Sequence, residues 1–260
     1  MEKLKIVFIG AGNLATQVAL AFHRQEQFVC QVYSRTEESA KSLATLCNAE
    51  STTDLSAIID DADLYIYAIK DAALSEIIPQ IKTRNGLHVH TAGSLPITSF
   101  KEYQDNYGVF YPFQTFSKQR PVDFIRIPIL IEANTEANTL ILENIGKNLS
   151  QQVIRCSSKQ RKSVHLSGVF ACNFTNHMYA IAAKILTDAN MPFEVLQALI
   201  DETSAKTHQL APLDAQTGPA IRYDRNIIDK HLEALKDMPN ECNLYEAISK
   251  NIYEYGKPNS

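Results

Sequence analysis

The chain has 260 residues, with 25 Lys and Arg against 29 Asp and Glu, a formal net charge of −4, and 45% apolar residues. That is ample for a sizeable core, and at about 100–200 residues per domain it allows one large or two modest domains. A slightly acidic balance gives no drive toward nucleic acid or anionic membrane, and no apolar run reaches the roughly 18 residues of a membrane span.

The opening Met1-Glu2-Lys3-Leu4-Lys5 runs straight into a strand-like segment without signal-peptide anatomy, so a cytoplasmic protein is expected. The five cysteines, Cys30, Cys47, Cys156, Cys172 and Cys242, form no Cys-x-x-Cys pair. They read as reduced thiols, neither a disulfide framework nor a zinc knuckle. His88 and His90 share a face if their segment is a strand, and that face reads as polar; two ligands make no zinc site, and no metal is expected.

The first half alternates strand and helix. Leu4–Ile9 is a short apolar run, followed by a helix over Leu14–Arg24, a strand over Phe28–Tyr33 and a helix over Thr36–Leu46. Asp63–Ile69 reads as strand, Ala72–Ile81 as helix and Leu87–Thr91 as strand, with shorter strands at Val109–Tyr111 and Ile127–Glu132 and a helix over Glu136–Asn148. Such alternation predicts an α/β, Rossmann-type doubly wound sheet, mostly parallel and covered on both faces.

Near residues 150–157 the composition changes. Ser157-Ser158-Lys159-Gln160 has capping-box spacing and opens a helical pattern to about Ala189. Its apolar residues lie on several faces, which predicts burial. Asn190-Met191-Pro192 ends it; further helices are expected to about Leu210, near Ala220–Lys236 and over Glu241–Tyr255. The expected domains are an α/β half, 1–155, and an all-helical half, 156–260.

Gly10-Ala11-Gly12-Asn13-Leu14-Ala15 follows the first strand and opens the first helix, a G-x-G-x-x-A form of the dinucleotide signature. Gly10 allows the tight turn, Gly12 lets backbone approach a pyrophosphate, Ala15 permits close helix–strand packing, and the helix start offers N–H donors. At the end of the second strand, where NAD sites present an acid, stand Ser34, Arg35 and Thr36. A guanidinium and two hydroxyls suit a ribose phosphate, so NADP(H) is the expected cofactor. The alternative for Arg35 is a surface ion pair with Glu37 or Glu38.

These features resemble the 6-phosphogluconate/β-hydroxyacid dehydrogenase superfamily, which includes pyrroline-5-carboxylate reductase, ketopantoate reductase and deazaflavin-linked NADP reductases. More closely, the chain resembles a family of NADP oxidoreductases with a Rossmann-like N-terminal half and a C-terminal half of unassigned function. The stretches that carry this are His90-Thr91-Ala92-Gly93-Ser94, Tyr111-Pro112-Phe113-Gln114-Thr115-Phe116, His165–Asn173 and Thr217–Asp224. Tyr223 departs from the small glycine expected there, which puts the pocket shape near Arg222 in doubt. The resemblance implies a helical half that pairs two chains and a long helix whose polar groups contact substrate.

Ligands of open α/β sheets sit beyond the carboxyl ends of the strands. Ala68, Ile69, Lys70, Thr91 and Gly93 therefore read as cofactor contacts, and Ser94 as a substrate contact. Gln114 and Thr115, among aromatics, either reach a ligand or leave the aromatics to pack. On the long helix His165 reads as proton donor, since imidazole titrates near neutral pH, with Asn173 orienting the reacting group. A structural histidine is the other reading. Thr217-Gly218-Pro219 resembles a helix start, where Thr217 and Arg222 would hold a substrate carboxylate; an Arg222–Asp224 ion pair is the alternative.

The reading that follows is an NADP-dependent oxidoreductase, transferring hydride between NADPH and a small carbonyl or imine acid in the cleft between the halves, as a homodimer. The alternatives are a non-catalytic NADP-binding regulator on the same fold and, against the intact glycine turn, a nucleotide-independent scaffold.

Overall fold

The computed structural model describes residues 3–83 and 85–257. Its strands are β1 (Lys5–Ile9), β2 (Phe28–Tyr33), β3 (Glu50–Thr52), β4 (Leu64–Tyr67), β5 (Leu87–His90), β6 (Tyr107–Pro112), β7 (Ile129–Ala133) and β8 (Val153–Arg155). They form one sheet in the order β3-β2-β1-β4-β5-β6-β7-β8. All neighbours run parallel except β6 and β7. This is the expected doubly wound sheet. The edge strands β3 and β8 have three residues each, too short for a periodic pattern to reveal.

Helices α1 (Asn13–Arg24), α2 (Glu37–Cys47), α3 (Asp71–Ile77) and α4 (Glu136–Lys147) cover the sheet. Side chains alternate across each strand, so Ile6 and Phe8 enter one core with Val18, Ala19 and Phe22 of α1. Val7 and Ile9 enter the opposite core with Leu74 and Ile77 of α3. Strand order reverses between β2 and β4 on either side of β1, and that switch point opens a cleft beyond the strand ends.

The face carrying His88 and His90 is buried, not polar. Both rings are fully inaccessible, with His88 stacked on Tyr65 at 4.4 Å and His90 on Phe100 at 5.8 Å. His88 Nδ1 meets the Tyr67 hydroxyl at 3.0 Å and its Nε2 the Asn85 carbonyl at 3.1 Å. His90 Nδ1 accepts from the Ala92 amide at 3.2 Å, with Nε2 toward the Pro96 carbonyl. One donor and one acceptor nitrogen per ring is the pattern of neutral imidazole.

The helical pattern expected from Ser158 comprises α5 (Ser158–Gly168), a π-helical turn over Val169–Phe174 and α6 (Thr175–Asp188). Its capping box is present, the Gln160 amide donating to Ser157 Oγ and the Ser157 amide to Gln160 Oε1 at 2.9 Å. The burial expected of this helix is not found: Arg161 alone is buried along α5, and no residue of α6 is. An apolar pattern gives each face something to bury but does not itself supply what covers it.

By packing, the chain divides into units Met1–Cys172 and Asn173–Ser260, later than the composition change near 155, because Arg161 ties the start of α5 to the sheet unit. The second unit contains α6, α7 (Gln197–Lys206), α8 (Arg225–Ala234) and α9 (Pro239–Tyr255). Residues 217–219 do not open a helix, contrary to expectation. Gly218 at φ +100 and Tyr223 at φ +52 lie in the left-handed region, so turns run through 219–223 and α8 begins only at Arg225. No helix among the described residues is long and apolar enough to cross a membrane.

Burial holds His88 and His90 at about 4, below the ordinary 6.5. The unfolded chain then binds more protons between these values, so their contribution is complete above pH 6.5 and is lost as pH falls through 4. Urea denaturation should show stability declining steadily over that window, by up to about 3 kcal/mol per histidine at the acid end. A flat profile there would mean that the rings are not neutral and enclosed.

Candidate active site

At the switch point, Gly10 through Leu14, Ser34, Arg35, Thr36, Ala68, Ile69, Lys70 and Thr91 line one cleft of about 780 Å³. Twelve of the thirteen expected cofactor contacts line it, all but Gly93: the glycine turn, the β2 end and the β4 end face the same space. Gly10, at φ +120, has no room for a side chain, since a Cβ would lie 2.3 Å from the Ala68 carbonyl oxygen. Gly12 differs. A Cβ there meets no protein atom within 4 Å, so the glycine leaves the approach to the helix start open.

The start of α1 has no side-chain cap and no acidic residue in its first turn. Its first N–H groups and the positive end of the helix dipole therefore face the cleft uncompensated. Arg35 is exposed and makes no ion pair among the described residues; Glu37 is taken instead by Lys41 in a 2.5 Å bridge. Thr36 caps α2 by position, its hydroxyl donating to Ser39 Oγ at 2.9 Å. This chemistry fits a phosphorylated dinucleotide.

Lys118, Ser39, Tyr33 and Glu76 also line the cleft. Lys118 had no local signal, because its loop is placed by residues a hundred positions away. Asn13 Nδ2 donates to the Phe116 carbonyl at 3.2 Å, and the buried Gln17 donates to the Ser117 carbonyl at 2.8 Å, with Lys118 and Arg120 carbonyls also in reach.

Two residues beyond Thr91, Gly93 lies against the long helix. A Cβ on Gly93 would fall 2.6 Å from Cγ and Nδ1 of His165, so the close approach this glycine permits is that of the imidazole. His165 is exposed, and its Nδ1 lies 2.9 Å from the Tyr111 hydroxyl. Ser94 donates to the Asp71 carboxylate. Gln114 turns to its own loop, its carboxamide oxygen accepting from the Thr115 amide at 2.8 Å. Asn173 is exposed on the π-helical turn. In the second unit Thr217 and Arg222 are exposed; Arg222 makes no ion pair among the described residues, and with no helix start at 217–219 the dipole argument for a carboxylate there falls away. Among the described residues no group of three or more His, Cys, Asp or Glu could hold a metal ion.

Two family models match the chain: an NADP oxidoreductase domain, coenzyme F420-dependent, over residues 5–90, and a domain of unknown function (DUF2520) over 127–252. A solved protein of Bacteroides fragilis, described as a putative NADP oxidoreductase, is 52% identical over 97% of this chain and 99% of its own, with a TM-score of 0.94. The chain belongs to this NADP oxidoreductase family. An imine reductase from Myxococcus stipitatus in complex with NADP+ shares the fold at 16% identity, over 96% of this chain and 92% of its own, with a TM-score of 0.71. A pyrroline-5-carboxylate reductase from Coxiella burnetii does so at 14% identity, over 98% of each chain, with a TM-score of 0.59. No curated protein matches.

In this NADP oxidoreductase family member one further residue organises the site. Arg161 is fully buried, donating to the Ala92 carbonyl at 3.2 Å, the Leu95 carbonyl, Ser158 Oγ and the Glu132 carboxylate. In sequence it is one cation in the polar run Lys159–Lys162. Only the fold turns it inward.

Replacing Arg161 by Met should destabilise the protein by about 3–5 kcal/mol in chemical denaturation, because Glu132 keeps its charge and loses its partner. A loss under 1 kcal/mol, on the scale of surface pairs at about 0–1 kcal/mol, would show that the guanidinium is not enclosed.

Proposed function

We propose that this family member is an NADPH-dependent reductase of a small carbonyl or imine acid. The observation that carries the reading is the convergence, in one cleft, of an uncapped helix start, an open approach at Gly12 and an Arg35 that makes no ion pair among the described residues. NADPH, when bound, supplies a hydride. The backbone of Gly12, Asn13 and Leu14 binds its pyrophosphate; Ser34, Arg35 and Thr36 bind the 2′-phosphate, with no carboxylate at that strand end to repel it. Ala68, Ile69, Lys70 and Thr91 line the remainder of the cleft.

A carbon that accepts hydride leaves its oxygen or nitrogen in need of a proton. His165 supplies it, being an exposed imidazole two residues of backbone from that cleft wall, against Gly93. Ser94 and the Gln114 carboxamide are the polar groups that the sheet unit offers to the substrate. The names of the imine reductase and the pyrroline-5-carboxylate reductase, which share the fold, support an imine as readily as a carbonyl.

Fluorescence titration tests the cofactor site. Arg35→Asp should weaken NADPH binding by about 10-fold to 100-fold, the worth of one charge-assisted contact, and leave NADH binding within a few-fold. Gly12→Val should abolish binding of both while melting as wild type does, because a Cβ at this position meets no protein atom within 4 Å. Equal wild-type affinity for NADH and NADPH would overturn the assignment of Ser34, Arg35 and Thr36.

The chain, in this reading, is a homodimer formed through its helical region. Leu166, Phe170, Phe174 and Ile185 on the long helix are 58%, 63%, 49% and 43% exposed in the single chain. Apolar surface of that extent usually marks an interface, and two-fold dimers are the commonest solution. Light scattering should give twice the chain mass of 29.1 kDa; the chain mass itself at micromolar concentration would overturn the dimer.

A further inference from the structure

Three elements meet around the His165 ring. Gly93 follows β5, and its missing side chain is the space the ring fills: a Cβ would stand 2.6 Å from both Cγ and Nδ1. Tyr111, on β6, is buried beside Val109 and Leu130, with Val164 of α5 packed on the same cluster. Its hydroxyl reaches His165 Nδ1 at 2.9 Å, while the rings meet edge-on, 6.1 Å apart at 65°. The contact is a hydrogen bond rather than a stack. Nε2 has no hydrogen-bond partner among the described residues.

The surroundings hold this arrangement still. Arg161, one helical turn before His165, grips the Ala92 and Leu95 carbonyls on either side of Gly93. Glycine backbone is otherwise the freest in the chain, so clamping both flanks keeps the space for the ring in place.

We propose that Tyr111 and Gly93 are positioning residues for His165: together they hold its neutral imidazole in one orientation and one tautomer, Nδ1 accepting from the Tyr111 hydroxyl and Nε2 carrying the N–H. The proton given up in catalysis is the Nε2 proton of the imidazolium, whose Nδ1–H donates to the Tyr111 oxygen. The use of this lock in catalysis rests on His165 being the proton donor; the lock itself does not. Burial pushes the Tyr111 phenol up to about 12, so it keeps its proton near neutral pH and acts as the donor to Nδ1. The charged groups around the pair are Asp71 and Arg161, which act on Tyr111 in opposite senses, and Glu132, which pairs with Arg161.

Nitrogen-15 NMR of the histidine rings in the full chain, at a pH where the ring is neutral, reads the tautomer directly and needs no substrate. Wild type should show His165 as a single Nε2–H tautomer. Tyr111→Phe should raise the Nδ1–H share severalfold while the backbone amide spectrum stays that of a folded chain. Gly93→Ala, which drives the ring away from Tyr111, should do the same with the phenol still present, and it carries the test if Tyr111→Phe fails to fold. The same mixture in wild type and in a folded variant, or an Nδ1–H ring in wild type, would overturn the proposal. The proton-donor reading fails separately: full turnover by His165→Ala would remove it and leave the tautomer lock standing.

Discussion

A guanidinium without solvent contact must be satisfied on every side by protein, and Arg161 is. It joins the first turns of α5, the backbone after β5 and the carboxylate of Glu132 on β7. The desolvation cost is offset only because these acceptors are in place together, so the arrangement tolerates little local opening. What depends on it is position. The segment from Ala92 to Leu95 carries Gly93, and Gly93 determines where the His165 ring can stand.

The neighbouring cleft works by the opposite device, leaving groups unsatisfied. The α1 start has neither cap nor acid, and Arg35 pairs with no carboxylate among the described residues. Folding leaves positive potential there that only an anion would relieve. The buried Gln17 contributes from behind, since its carboxamide spends its donors on the 117–120 loop that brings Lys118 to the same cleft.

In the second unit Tyr223 shows how a departure from the resemblance is accommodated. A left-handed residue favours glycine, and this chain places an aromatic there at φ +52. The ring stacks on Tyr253 at 4.8 Å, and Arg225 lies 5.3 Å over it with a 3.0 Å hydrogen bond to its hydroxyl. These contacts are worth about 0.5–1.5 kcal/mol for the aromatic pair, the scale of the backbone strain they offset.

The first half of the fold was legible because its signals are local. Apolar strands of four to six residues, the Gly10–Ala15 turn and the Ser34-Arg35-Thr36 strand end each declare themselves within a few positions. Strand alternation and switch-point geometry then bring them together. The capping box at Ser157 was legible for the same reason. Other features needed contacts between distant residues. Nothing near Arg161 says that it is buried, nothing near Tyr111 says that its hydroxyl meets a helix 54 residues later, and nothing near Lys118 says that Gln17 will hold its loop. The alternating His88 and His90 specified a shared face but not that Tyr65, Tyr67 and Phe100 would close over it. Pro219 suited a helix start, yet the left-handed turns at Gly218 and Tyr223 delayed the helix to Arg225. Local sequence thus determined the elements and the uncompensated donors at their ends; the tertiary structure decided which polar groups lose water, because desolvation depends on what packs around a residue and not on its neighbours in the chain.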